Sequence, residues 1–191
     1  MPESIRQLVT ALKCLLLLTV VLGIGYPLLV LGVGHLGLQV QAQGSLVTAV
    51  DGRVVASRLI GQSVEGDQWF QPRPSAGDYD GLASGGSNAG PDDAELVATV
   101  DQRRAEIAKR DGVPAAAVPA DAVTASGSGL DPFISPAYAL LQVDRVARSR
   151  DLPADRVRAL VERHVTPRTL GFLGRPRVNV VELNLDLQSV R

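Results

Sequence analysis

The residues from Cys14 to Leu38 read CLLLLTVVLGIGYPLLVLGVGHLGL, about 25 positions without an acid, a lysine or an arginine. Crossing the hydrocarbon core of a bilayer takes roughly 20 apolar residues of helix, so the run is long enough to cross with some tilt. A buried helix of a soluble core is seldom apolar on every face for so long. A secretory signal has an apolar core of only about 7–15 residues, although Val40-Gln41-Ala42 does resemble a small-residue cleavage site. Gly23, Gly25, Pro27, Gly32 and Gly34 would weaken a helix in water. Membrane helices tolerate such residues and pack closely through them. The expectation is therefore a cytoplasmic N-terminus over 1–13, one transmembrane helix over 14–38, and one extracytoplasmic domain over 39–191.

Flanking charge sets the orientation. Arg6 and Lys13 precede the run, and no lysine or arginine follows it until Arg53. The positive-inside rule then keeps the N-terminus in the cytoplasm and puts the following domain outside.

That domain, at about 150 residues, is a usual size for one domain with its own core. Across the chain 19 basic residues face 20 acidic ones, a net charge of -1, with no basic stripe or aromatic platform to suit a nucleic acid. The only cysteine, Cys14, stands at the start of the apolar run, so the domain has no disulfide and must be held by packing. A cysteine-type zinc site is excluded, and His35 and His164 are the only imidazoles. No metal site is expected.

Two β-prone runs around Asp51-Gly52 predict a hairpin over Ser45–Ala56, with a further short strand near Arg58–Ile60. Residues 66–91, rich in Gly, Ser, Asp and Pro, read as a long loop, and loops of that length are usually functional surfaces or mobile connectors. A helix is predicted from Pro91, with Leu96, Val97, Val100 and Ile107 as its apolar stripe and Gly112 at its end. Residues 113–121 read as a turn with a short helical piece. A second helix starts at Ser135-Pro136 and buries Ala137, Leu140, Leu141, Val143, Val146 and Ala147, which leaves Gln142 exposed or capping. A third, entered through Pro153, runs to about His164 on a solvated face. Over 178–187, Val181, Leu183, Leu185 and Leu187 alternate with Glu182, Asn184 and Asp186, which predicts a half-buried strand. The fold class is mixed α/β (α+β), an extracytoplasmic domain tethered by one N-terminal transmembrane helix.

Two small-residue loops are the candidate binding elements: Ser84, Gly85, Gly86, Ser87 and Asn88, and then Ser126, Gly127, Ser128, Gly129 and Asp131. Glycine lets the main chain approach a ligand, so either loop could offer N–H groups to an anion. Tight turns are the plainer reading. Neither loop is a GxxxxGK[ST] phosphate loop or a GxGxxG fingerprint. A serine hydrolase lacks its GxSxG elbow here. Residues 69–74, Trp-Phe-Gln-Pro-Arg-Pro, read either as a loop anchored on the core or as a partner-binding edge, since Trp and Arg are enriched at interface hot spots.

Taken in order, the segments are more specific than any one of them. After the span come Gly44-Ser45-Leu46, Leu59-Ile60-Gly61-Gln62 and Trp69 to Ala76 (WFQPRPSA). Ser84–Asn88, Val123 to Pro132 (VTASGSGLDP), Gln142 to Ala147 (QVDRVA), Gly171 to Val180 (GFLGRPRVNV) and Leu183-Asn184-Leu185 follow. This resembles the C subunit of the bacterial potassium-transporting Kdp ATPase over nearly the whole chain.

The resemblance implies a non-catalytic accessory subunit of an ATP-driven potassium import complex in the bacterial inner membrane. Its expected partners are a channel-like potassium-binding subunit, a P-type ATPase subunit and a small hydrophobic subunit. It implies an assembly factor and catalytic chaperone that raises the ATP affinity of the ATPase subunit. No tightly bound cofactor is expected, with ATP reached through that subunit. Nucleotide or partner contact would fall to the two loops and Gln142, but an outside domain does not meet cytoplasmic ATP. Phe133 stands where related sequences often carry His, so no titrating or metal-binding role carries over to it. The alternative from the residues alone is a stand-alone membrane-anchored module that binds a small anion or nucleotide through its Gly/Ser loops.

Overall fold

A computed structural model describes residues 2–49 and 52–190 and divides the chain into two compact units, Met1–Ser45 and Leu46–Arg191. The first unit is helical. α1 (Glu3–Leu18) passes into a π-helical stretch, Thr19–Gly25, and then into α2 (Tyr26–Gly37); a short α3 (Gln39–Ala42) follows. The continuous helix Glu3–Gly37 has 35 residues with a most apolar window of mean hydropathy 2.5, none of it buried, and by length and composition it can cross a membrane. The π stretch lies just ahead of Pro27. That ring has no N–H and crowds the carbonyl of residue 23, which disfavours the normal helical register. The N–H of Tyr26 accordingly bonds to Val21 O, five residues back.

The second unit opens with an antiparallel hairpin, β1 (Leu46–Thr48) against β2 (Val54–Ser57). Gly52 takes φ 82°, as the tight turn requires. Its predicted companion Asp51 lies outside the described residues. The expected strand near Ile60 is a single bridge, Ser57 to Ile60.

α4 (Ala94–Asp111) starts three residues beyond Pro91, because the Asp93 carboxylate accepts from the N–H groups of Glu95 and Leu96 and so fixes the cap. It ends as expected at Gly112, at φ 70°. Val97 is exposed, however, and Ile107 with Asp111 forms the buried end. A 3-10 turn (Ala115–Ala117) and α5 (Ala120–Val123) lead to β3 (Phe133–Ile134).

Ser135 caps α6 (Pro136–Leu141) by accepting from Tyr138 N, and a break at Gln142 separates it from α7 (Val143–Ser149). Ala137 is exposed, while Tyr138 and Ala139 fill the core with Val143, Val146 and Ala147. α8 (Ala154–Arg163) enters through Pro153 as predicted. At its end His164 is half-buried rather than solvated, its Nε2 2.9 Å from Asp186 Oδ2.

β4 (Val165–Thr166) and β3 flank β5 (Arg177–Asn179) in a three-stranded antiparallel sheet. The half-buried strand predicted over 178–187 does not form. Only its first residues are extended, and Val180–Ser189 is a helix, α9. Asn179 caps it, accepting from Val181 and Glu182 N–H groups. Its buried residues are Val180, Leu183, Asn184 and Leu187, a helical spacing that places Asn184 inside and not on a solvent face.

Candidate functional site

The domain is organised around residues 69–74. Phe70 is fully buried, and its peptide lies outside both sheets formed by the described residues. Buried backbone groups need partners, and here two side-chain amides supply them. Phe70 N–H donates to Asn184 Oδ1 at 2.9 Å, and Asn184 Nδ2 donates to Phe70 O at 2.9 Å. The next residue repeats the arrangement: Gln71 N–H donates to Gln142 Oε1 at 2.7 Å, and Gln142 Nε2 to Gln71 O at 3.1 Å. A carboxamide carries a donor and an acceptor side by side, so each amide acts as a strand neighbour of one residue.

A buried charge secures the second clasp. Arg145 Nη2 donates to Gln142 Oε1 at 2.7 Å and Nη1 to Trp69 O at 3.0 Å, with a further bond from Nη1 to Asp67 O. Its Nε meets Asp111 Oδ1 at 2.6 Å, both side chains being almost wholly buried. Arg110 covers the other Asp111 oxygen at 2.7 Å. A buried ion pair is costly unless every polar atom is used, and no buried side-chain nitrogen or oxygen among the described residues lacks a partner.

Arg73 extends the segment toward the glycine loops. Its guanidinium donates to Thr124 O and Ala125 O and reaches Asp131 Oδ2 at 3.3 Å. Asp131 Oδ1 also accepts from Phe133 N at 3.0 Å. Tyr79 closes this side by donating its hydroxyl to Arg73 O, and burial pushes the phenol up to about 12. Phe133 itself is half-buried with the Arg177 guanidinium over its ring at 4.2 Å.

The two candidate loops come together. Gly85 N–H donates to Ser128 O at 2.9 Å, and Ser84 Oγ to the same carbonyl at 3.1 Å. Gly129 has φ +68°, and a Cβ on it would lie 2.8 Å from Gly85 O; one on Gly86 would lie 3.3 Å from Gly127 O. These glycines therefore permit main chain to meet main chain. Ser126 Oγ lies 3.4 Å from Ser128 Oγ, which accepts from Leu130 N. Ser87 and Asn88 face an open cleft of about 390 Å³ shared with Asp93, Thr99 and Arg103. Gln142 does not join the loops. Of the exposed or capping position expected for it, the second holds: it ends α6 as the C-cap, but fully buried, with its amide spent on Gln71 and Arg145.

Sequence reasoning missed Asn184, Arg145, Asp111 and Tyr79. One signal was available for Asn184, since Asn179 followed three residues later by Glu182 is a helix-start pattern. No group of three or more metal-ligating side chains occurs among the described residues.

Comparison with known proteins finds relatives over nearly the full length of the chain. Residues 8–189 match the family model described as K+-transporting ATPase, c chain. A potassium-transporting ATPase KdpC subunit of Kineococcus radiotolerans is 55% identical over 187 residues, 97% of this chain and 94% of the relative. That of Gemmatimonas aurantiaca is 51% identical over 193 residues, covering 100% and 94%. That of Mycobacterium tuberculosis is 50% identical over 188 residues, covering 97% and 99%. With a match that spans both the apolar helix and the clasped domain, the chain belongs to the KdpC family, the c chain of potassium-transporting ATPases.

Proposed function

We propose that the chain is a non-catalytic accessory subunit of an ATP-driven potassium import complex, anchored in the bacterial cell membrane by Glu3–Gly37. The observation that carries this reading is the family match over residues 8–189, which includes the apolar helix. Its partners are a channel-like potassium-binding subunit, a P-type ATPase subunit and a small hydrophobic subunit. The N-terminus is cytoplasmic and the domain extracytoplasmic, in keeping with Arg6 and Lys13 before the span.

In this role the chain assembles and stabilises the complex and acts as a catalytic chaperone, raising the ATP affinity of the ATPase subunit. With the domain outside, the effect on ATP is indirect, a coupling between conformations of the complex. The sealed position of Gln142 supports the indirect route, since a nucleotide could reach it only by displacing Gln71 and Arg145. The mutual bonding of Ser84–Gly85 with Ser128 supports a structural use of the loops in the same way. The open cleft at Ser87 and Asn88 favours one second reading, contact with a small anion or nucleotide beside Arg103.

ATPase titrations of the complex with and without this chain test the proposal. The half-saturating ATP concentration is expected to rise when the chain is absent, with little change in the maximal rate. An unchanged ATP dependence would contradict the chaperone role. Calorimetry with nucleotide on the full chain in detergent tests the second reading, and binding abolished by Arg103→Gln would favour it.

A further inference from the structure

Between β4 and β5 the chain forms a small closed finger. Thr169 N–H donates to Leu173 O at 3.0 Å and Leu173 N–H returns to Thr169 O at 2.9 Å, with Gly171 N–H bonded to Arg168 O at 3.1 Å. The tip these bonds hold out is apolar: Leu170 is 79% exposed, Phe172 67% and Leu173 50%. Leu170 also sits at φ 55°, a left-handed conformation that a bulky side chain seldom adopts. The domain thus bears both backbone strain and exposed apolar surface at one point, and each of these is a feature found at contact and functional sites.

Charge distinguishes what the tip fits. From Arg163 to Val181 there is no aspartate or glutamate, and Arg168 and Arg175 bracket the tip in sequence, with Arg177 two residues beyond; Arg175 and Arg177 also line a cleft with Asp121 and Asp131. Arg177 is turned onto the Phe133 ring. An apolar tip with an arginine on either side of it in the chain matches the layering of a phospholipid surface, with acyl chains beneath and phosphates above. The finger closes its own main-chain hydrogen bonds at Thr169 and Leu173, which lowers the cost of entering a less polar layer.

We propose that the 168–175 finger is a membrane-contact element: Leu170, Phe172 and Leu173 enter the interfacial layer while Arg168 and Arg175 bind phosphate groups of anionic phospholipid. This rests on the proposed membrane anchoring of Glu3–Gly37. Tethering to the same membrane makes a weak intrinsic affinity sufficient, because the second contact is intramolecular.

The test uses the full chain with Cys14→Ala and a single new cysteine, Leu170→Cys, carrying an environment-sensitive NBD label. It is reconstituted into vesicles of phosphatidylcholine with or without phosphatidylglycerol. Leu82→Cys, at a residue 99% exposed in the same domain, is the reference position. The label at 170 is expected to brighten and to be quenched by spin-labelled lipid in the anionic vesicles, with the label at 82 unaffected. Arg168→Gln and Arg175→Gln are each expected to lower the inserted-to-free ratio about five-fold. A label at 170 that stays as wet as the one at 82 overturns the proposal. So does a label shielded only when the channel-like subunit is co-reconstituted, which would make the finger a protein contact. Flotation of the same samples in alkaline carbonate separates the two levels. A chain that leaves the vesicles refutes the anchor and the finger with it, whereas a chain that stays with a wet label refutes the finger alone.

Discussion

Asn184 and Phe70, 114 residues apart in the chain, are joined by a reciprocal pair of hydrogen bonds, each 2.9 Å, between one side-chain amide and one peptide. The bond pair fixes α9 against residues 69–74, and it defines what each amide atom contributes. Asn184→Leu leaves a buried N–H and a buried C=O unpaired, each costing about 1–3 kcal/mol. The expected loss is about 2–6 kcal/mol in denaturant unfolding of the full chain in detergent. Asn184→Asp keeps the acceptor for Phe70 N–H but sets a carboxylate against Phe70 O, so it is expected to destabilise as well.

How far this was legible in the chain follows from where the partners lie. The caps at Ser135 and Asn179 and the αL glycine at 112 act within four residues, and local spacing signals such contacts. Ser135 and Gly112 were read correctly. Residues 178–187 were not, because Val181, Leu183, Leu185 and Leu187 alternate as a strand does. The helix instead buries Val180, Leu183, Asn184 and Leu187, so one of its four inward residues is polar and breaks the apolar pattern. The role of Arg145 and the burial of Gln142 were hidden for a different reason. Their carbonyl and N–H partners at 67–71 lie more than 70 residues away, and nothing local announces that an amide at the junction of two helices will be buried. The two glycine loops were visible as loops, but their contact with each other is a tertiary fact.

Arg145 and Asp111 form the charged centre of the domain, at 2.6 Å. Removing one partner strands a buried charge, so Arg145→Met or Asp111→Leu is expected to cost about 3–5 kcal/mol. The double variant Arg145→Met with Asp111→Leu should recover part of that loss, because the two fully buried charges leave together and only the part-exposed Arg110 loses its partner. A double variant less stable than the sum of the singles would contradict the pairing.

Gly129 is the hinge of the loop contact. Gly129→Ala sets a Cβ at 2.8 Å from Gly85 O at a φ of +68°. The expected cost is about 1–3 kcal/mol from strain and overpacking. Hydrogen exchange should rise at Gly85, whose N–H is bonded to Ser128 O, and unchanged protection there would show that the loops move together.

Burial, the largest influence on Tyr79, raises its phenol from 10.0 to about 12. The folded state therefore keeps its proton after the unfolded chain has lost it. The stability this contributes is whole below pH 10.0 and falls away as pH climbs toward about 12. Tyr138 is shifted in the same direction, also chiefly by burial. Tyr79→Phe is expected to flatten, without abolishing, the alkaline decline of the unfolding midpoint. An unaltered slope would mean that Tyr79 does not titrate with unfolding.

The orientation of the domain has a direct chemical readout. With Cys14 replaced by Ala, a cysteine at the exposed Leu82 should react in intact cells with a membrane-impermeant maleimide. Labelling only after the membrane is broken would place the domain in the cytoplasm and reopen direct contact with ATP.

The accessory-subunit reading is tested most directly by capturing the full chain from native membranes in mild detergent and weighing its companions by mass spectrometry. The account predicts a channel-like subunit, a P-type ATPase subunit and a small hydrophobic subunit in fixed proportion to the chain. The chain recovered alone, from membranes in which the others are present, would contradict it.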